Sequence, residues 1–254
     1  MSEKTITFAT NCWEADWEFI IKSGGYLQKI KNLDYVNFNK RILIINNVND
    51  SKLVLKEADK LINLGVLDEY YLVEKNAKKV LEHFEIKKES FTDIGYYYSI
   101  SPLLAIFFSD SEYILYNTAD TILEPKKYNW VDMGINIIED MSNKVVCVNP
   151  VWNDGYEEAR HECVFKNGME NENWFFMPRF SDQCFLMPLK FLKKKIYNEK
   201  NEMADYFWPH DISSNGTHIN GNIFEKRVAA HMFNNNAITA TSKHISYYHK
   251  SVRL

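Results

Sequence analysis

Short apolar runs that end in polar residues alternate with stretches of helical spacing along most of this chain. Thr5 to Thr10 (TITFAT) and Arg41 to Asn47 (RILIINN) predict the first two strands. From Ser51, the run SKLVLKEADKLINLG sets Leu53, Ala58, Leu61 and Ile62 at helical spacing, which predicts a helix capped by Ser51 and stopped by Gly65. Glu69 to Glu74 predicts a third strand, Asn76 to Phe84 a helix, and Ser101 to Phe108 a buried helix opened by Pro102. The segment EYILYNTADTILEP follows. In it an apolar strand runs out into Asn117-Thr118-Ala119-Asp120, and a second short apolar run, Thr121-Ile122-Leu123, comes at once. Trp130 to Met141 reads as a helix and Lys144 to Asn149 as the strand after it.

Repeated strand-helix alternation implies an α/β fold in one domain, a mostly parallel sheet covered by helices on both faces through right-handed crossovers. The carboxyl ends of such strands share one functional edge. Pro150 to Asn173 is irregular and polar, and a long surface excursion flanking the site is expected there. SDQCFLMPLKFLKKKIY predicts a short strand leading into a helix, with Lys193, Lys194 and Lys195 on a solvated face. Ile223 to Phe233 predicts another helix, and SKHISYYHKSVRL a closing strand.

The composition narrows the class of partner. A chain of 254 residues with 46% hydrophobic residues can bury a sizeable core. A net charge of -4 and a pI near 6.0 give no global reason to bind nucleic acid or an anionic membrane. Cys12, Cys147, Cys163 and Cys184 are scattered, which favours reduced thiols in a cytoplasmic setting. The opening MSEKTITFAT has neither the basic start nor the apolar core of a signal peptide, and no apolar run approaches the length of a membrane span. A cytoplasmic enzyme that visits a membrane surface for a lipid-linked acceptor remains compatible with this. Neither G-x-G-x-x-G after the first strand nor G-x-x-x-x-G-K-[ST] is present, so dinucleotide and P-loop nucleotide binding lose support.

Asp120 is the strongest candidate for chemistry, because a carboxylate at the carboxyl end of a buried strand lies where open α/β sheets place their ligands. An Asp also caps turns after strands. In HISYYH, strand alternation sends His244, Ser246 and Tyr248 one way and Ile245, Tyr247 and His249 the other, so only one of the two histidines can face a site. Glu225 in the first turn of its helix and Asp182 before an apolar strand are further acids. The plain alternative is a favourable helix-end charge for Glu225 and a cap for Asp182.

The strand-end segment resembles the Asp-x-Asp motif of GT-A glycosyltransferases, with Asp120 as the second acid and Thr118 in place of the first. The loop ATNCWEADW is similar to the family's nucleotide-holding loop after the first strand, and GYYYSISPLLAIFFSDSEYILYNTAD to the helix that precedes the metal strand. The C-terminal half resembles the acceptor side, a catalytic-side helix and a late metal ligand. The resemblance implies a GT-A-like, Rossmann-like sheet, with residues 1–125 binding a nucleotide diphosphate sugar and 126–254 facing the acceptor. It implies Mn2+ or Mg2+ held by Asp120 and by His249 in preference to His244. Nucleotide-sugar contacts would come from Thr10, Asn11, Asp16, Ser99, Ser101, Asn117, Thr118 and Asp120, with Trp13 as a wall. Trp13 and Trp17, four apart, fit equally well as the buried stripe of a helix.

The implied activity is transfer of a sugar to a glycan or glycolipid acceptor, with inversion. Such transfer needs a general base within hydrogen-bond reach of the acceptor hydroxyl. Glu225 is expected in that role ahead of Asp182, with the loop SSNGTHINGN closing over substrate, FWPHD as an acceptor wall, and Arg227 paired with Glu225 or touching phosphate. The alternatives are a sugar-phosphate nucleotidyltransferase, whose Arg-containing phosphate loop is missing near the first strand, and a non-catalytic sugar-binding protein of the same fold.

Overall fold

The computed structural model describes residues 4–91, 93–125, 128–207 and 222–249. Through the first half, strands and helices alternate: β1 (Ile6–Cys12), α1 (Gly25–Lys31), β2 (Lys40–Ile45), α2 (Ser51–Asn63), β3 (Glu69–Leu72), α3 (Val73–His83), α4 (Asp93–Phe108) and β4 (Tyr113–Asn117). A single π-helical turn, Glu18–Lys22, precedes α1. The second half adds β5 (Thr121–Leu123), α5 (Trp130–Glu139), β6 (Val145–Trp152), α6 (Tyr156–Phe165), β7 (Met169–Glu170), β8 (Trp174–Met177) and β9 (Cys184–Pro188). It closes with α7 (Leu189–Leu192), α8 (Glu202–Phe207), α9 (Phe224–Asn234) and β10 (Ile238–His249).

One mixed sheet takes all the strands, in the order β3-β2-β1-β4-β9-β6-β10-β8-β7, with β5 against β10. β3, β2, β1 and β4 are parallel, and β6 and β10 are parallel to each other. β9 runs antiparallel to both β4 and β6. β7, antiparallel to β8, which is antiparallel to β10, joins the parallel set, so seven strands point one way, as expected for a mostly parallel sheet, and β9 is inverted among them.

The strands are apolar on both faces because both are covered. Ile42, Ile44, Ile114 and Tyr116 pack under α3, α4 and α9, while Phe8, Leu43, Ile45 and Leu115 pack under α1, α2 and α5. All four cysteines are free and buried. Among the described residues, no helix is long and apolar enough to cross a membrane.

Several boundaries differ from the sequence reading, each for a local reason. Asp50, not Ser51, caps α2, its carboxylate accepting from the Leu53 N–H at 3.0 Å. α4 begins eight residues before Ser101 and carries Pro102 inside it. The Pro102 ring removes one intrahelical donor, and the helix continues because it is packed on both sides of that point. Residues 150–173 are not an irregular excursion. They hold the end of β6, α6 and β7, which pairs with β8 in a hairpin, and α6 carries little apolar period because only Ala159 and Cys163 along it are buried.

Gly168 lets β7 leave α6 close to β8. A Cβ at this position would lie 2.3 Å from the Phe176 carbonyl oxygen and 2.7 Å from Cys163 Sγ. Gly168→Ala is expected to destabilise the protein by about 1–3 kcal/mol through overpacking. A urea unfolding midpoint equal to that of the parent would show that the hairpin does not approach α6 this closely.

Candidate active site

The order β3-β2-β1-β4 makes the chain reverse direction across the sheet between β1 and β4, and a crevice opens outside the carboxyl ends of strands at such a point. Here it is a cleft of about 530 Å³. Asn11, Trp13 and Asp16 follow or end β1, Asn46 and Asn47 follow β2, and Thr118, Ala119 and Asp120 follow β4. Tyr97, Tyr98 and Pro102 of α4 form a wall, Asp182 and Gln183 precede β9, and His249 ends β10. A second hollow of about 490 Å³ between α3 and α4 shares Asn46, Asn47 and Tyr97 with the cleft.

The turn that carries Asp120 is fixed from behind. Lys29 of α1 is buried, and its Nζ donates to the Thr118 carbonyl at 2.8 Å, to Asn117 Oδ1 and to the Thr121 carbonyl. Burial pulls the Lys29 pKa down to about 7. Three oxygen acceptors, on the other hand, match the three N–H donors of an ammonium ion. From the front, Asn11 Oδ1 accepts from the Ala119 N–H and from the Tyr116 hydroxyl, both at 3.2 Å. Asn117 Nδ2 donates to Thr121 Oγ1 at 2.6 Å, and the Thr118 N–H donates to the Gln183 carbonyl at 2.8 Å.

Held this way, the Asp120 side chain stays 51% exposed and meets His249, with Oδ2 and Nδ1 3.0 Å apart. Burial would raise the Asp120 carboxyl, but the hydrogen bond and charge of His249 and a hydrogen bond from Thr118 outweigh it and hold it below its ordinary value. The other ring nitrogen, Nε2, lies 2.8 Å from Gln183 Oε1, which also accepts from the Tyr247 hydroxyl at 3.0 Å. Asp182 goes the other way. Burial first, and the Asp120 charge after it, push its pKa up to about 6.

An oxygen and a nitrogen at right angles in a shell of about 2.1 Å bonds sit about 3.0 Å apart, so the Asp120–His249 pair fits two adjacent positions on a small divalent cation. Among the described residues no three His, Cys, Asp or Glu side chains converge on one point. The remaining positions would fall to phosphate and water, the usual arrangement for Mg2+ at phosphate sites.

The structure brings Asn11, Asp16, Thr118, Asp120, Asp182 and His249 to one cleft. Trp13 is 49% exposed on its rim and Trp17 is buried in the core, so the two do not share a stripe. Other sequence candidates serve the frame. Asn117 is buried beneath the turn, and Thr10 is buried within β1. Ser99 Oγ donates to the Gly95 carbonyl at 2.6 Å and accepts from the Phe224 N–H at 2.8 Å, so it joins α4 to the start of α9. Ser101 Oγ accepts from Asn46 Nδ2 at 3.1 Å. His244 lies away from the cleft, bonded to Asn173 at 3.0 Å with its ring 4.7 Å from Tyr128.

Glu225 is half-buried in the first turn of α9, where its charge acts on Lys166 and Tyr247, and it does not line the cleft. Arg227 neither pairs with Glu225 nor faces the cleft. Its guanidinium is buried against Phe91 and donates to the Tyr197 carbonyl at 2.6 Å and to Ser90 Oγ at 2.6 Å. The loop SSNGTHINGN up to Gly221 and the wall from Trp208 to Asp211 lie outside the described residues. Lys29, Asn46 and Gln183 were not found from sequence. Lys29 had a signal, a cation three residues after Tyr26 on the buried side of a helix; Asn46 and Gln183 had none in an Asn-rich chain.

No family model matches the sequence, and no curated protein matches it in sequence. Among solved structures the chain is similar to a mycobacterial protein at a TM-score of 0.50 and 11% identity, over 95% of this chain and 66% of that one. The likeness is one of fold. The chain is also similar to GalNAc-T7 with UDP, GalNAc and Mn2+, at a TM-score of 0.49 and 10% identity over 98% of this chain and 44% of that one. A third similar structure is glucosyl-3-phosphoglycerate synthase from Mycobacterium tuberculosis with Mn2+, uridine-diphosphate-glucose and phosphoglyceric acid. There the TM-score is 0.42 and the identity 12%, over 75% of this chain and 59% of that one. The chain thus spans less than two thirds of the length of each of these proteins.

Lys29→Met keeps the length of the side chain and removes every donor at its tip. Buried oxygens left without partners cost about 1–3 kcal/mol each, so a loss of several kcal/mol is expected together with loosening of the Asp120 turn. Hydrogen exchange at the Ala119 and Thr121 amides would report the loosening, and unchanged protection would remove Lys29 as the anchor of the turn.

Proposed function

We propose that this protein is a divalent-metal-dependent glycosyltransferase of the GT-A kind, moving a sugar from a nucleotide diphosphate to a hydroxyl of a glycan or glycolipid with inversion. One observation carries this reading. The Asp120–His249 pair stands at the strand ends of a cleft whose lining includes three carboxylates, Asp16, Asp120 and Asp182, and among the described residues no Lys or Arg. An anionic diphosphate enters such a site only with a cation of its own. The same lining leaves a nucleotidyltransferase without an arginine for its phosphates.

The proposed division of labour follows the two halves of a single domain, and the cytoplasm is its proposed setting. Residues of the first half hold the donor. Trp13, Tyr97 and Tyr98 offer faces for a base or sugar ring, and Asn46 Oδ1, buried at the end of β2 without a partner among the described residues, can accept an N–H of the base. Asp120 and His249 would hold Mn2+ or Mg2+, which offsets the charge on the departing diphosphate when bound. Trp152, 45% exposed and edge-on to His249 at 6.0 Å, provides an apolar platform on the acceptor side.

The base is assigned to Asp182 in preference to Glu225, because Asp182 lines the cleft. A carboxyl near pKa 6 is charged at neutral pH and basic enough to take the hydroxyl proton as attack proceeds. Asp182→Asn is therefore expected to bind the nucleotide sugar normally and lower kcat by about 10²- to 10⁴-fold, whereas Asp120→Asn loses metal-dependent donor binding. Near-parental transfer by Asp182→Asn with a slow Glu225→Gln would return the base to Glu225.

The pH dependence follows from the raised pKa. Transfer should rise with pH through about 6 and then level as Asp182 loses its proton. Folding favours the protonated Asp182, so its contribution to stability is present at about pH 4 and lost as pH rises through about 6. Asp182→Asn, which cannot ionise, should thus gain stability over the parent at about pH 8 and little at about pH 4. Urea midpoints at the two pH values test this, and an equal difference at both would place Asp182 in water.

A further inference from the structure

We propose that Gln183 is a positioning residue that presents His249 to the cation through Nδ1. The inference rests on the metal-dependent reading above and concerns which ring nitrogen serves as ligand. The His249 ring touches two groups in line. Nδ1 lies 3.0 Å from Asp120 Oδ2, and Nε2 lies 2.8 Å from Gln183 Oε1. Nε2 thus points away from the acid that shares the cation, into an amide oxygen that is itself anchored by the Tyr247 hydroxyl at 3.0 Å.

A neutral imidazole has one donor and one acceptor nitrogen, and the partner of the donor decides which is which. Gln183 Oε1 accepts, so the Nε2 proton is held in place, and the Nδ1 proton that bonds Asp120 in the absence of metal is the one a cation would displace, freeing the Nδ1 lone pair for the metal. This is the arrangement in which metal-bound histidines are held, with the second N–H given to a fixed oxygen. The anchor is well made for the purpose. Tyr247 is buried, and the Gln183 backbone carbonyl accepts from the Thr118 N–H at 2.8 Å, so one residue ties the His249 ring to the Asp120 turn. Gln183 thereby links the end of β10 to the end of β4, which β9 and β6 separate in the sheet.

The test measures Mn2+ bound by the full chain without nucleotide sugar, from the loss of the free-ion electron paramagnetic resonance signal. Gln183→Leu removes the acceptor and should weaken Mn2+ by about 10- to 100-fold, the usual cost of losing such a partner. Gln183→Glu keeps an oxygen for the Nε2 proton and should restore binding. A second measurement needs no variant. With histidine-¹⁵N protein saturated with Cd2+, a diamagnetic cation, long-range ¹H–¹⁵N correlations of the His249 ring should show the proton on Nε2 and the metal-shifted nitrogen as Nδ1.

Binding by Gln183→Leu equal to the parent, or a ring spectrum with Nδ1 protonated, overturns the assignment of Gln183 alone, provided Asp120→Asn abolishes Mn2+ binding. Should Gln183→Leu fail to fold, the ring spectrum decides by itself. Mn2+ binding that is absent from the parent, or indifferent to Asp120→Asn, overturns the metal-dependent reading and this inference with it.

Discussion

Lys29 is the interaction on which the position of the site depends. Its Nζ is sealed behind the turn between β4 and β5, and its bonds go to neutral oxygens of Asn117, Thr118 and Thr121. A buried ammonium costs several kcal/mol unless every donor is used. Here the donors are used to draw turn oxygens inward. With those oxygens turned toward α1, the Asp120 carboxylate is left on the open side, where it meets His249 from the far end of β10. A lysine neutralised by a buried carboxylate would balance charge equally well, but it would not shape the turn.

The electrostatics of the cleft divide its acids by surroundings. Asp120 is held below its ordinary pKa by His249 and Thr118 despite partial burial, and Asp182, more enclosed and close to the Asp120 charge, is pushed up. Environments that separate two nearby carboxyl groups suit them to different tasks, one as a standing charge and the other as an exchanger of protons. Asp16 adds a third acid, already engaged with the Trp13 N–H at 2.7 Å in the loop after β1. Three carboxylates crowd the lining without a Lys or Arg among the described residues there, so the cleft is electrostatically suited to a cation and unsuited to a bare anion.

Much of this was legible in the chain. The strands through Asp120 could be read because each is a short apolar run with a polar exit, a local property. That His244 and His249 face opposite ways could be read from period-two alternation within HISYYH, again local, but not which of them meets the cleft. Long-range partnerships could not. Ser99 and Ser101 lie near the cleft in sequence logic, yet their hydroxyls are spent inside the fold, on Phe224 and on Asn46. α6 was missed because a helix that buries only Ala159 and Cys163 carries little apolar period. Arg227 looks like a surface cation from its neighbours, and only the approach of Ser90, Phe91 and Tyr197 shows it to be buried.

The placement of Asp182 turns on strand direction. In a sheet taken as parallel throughout, an acid just before a strand sits at the amino edge, on the side away from the ligand crevice, and an acid opening a helix, such as Glu225, is the better candidate. β9 is antiparallel to β4 and β6, so its amino end lies at their carboxyl ends. The reversal carries Asp182 and Gln183 into the cleft together, and Asn117 pairs with Cys184 in the same register. Nothing in the residues of β9 announces its direction, since CFLMP is buried throughout and would fit the sheet either way. β9 keeps the direction of β8, which already runs against β10, and returns to the centre of the sheet against β4 and β6, so Asp182 and Gln183 arrive beside the residues that β1, β2, β4 and β10 bring to the same edge.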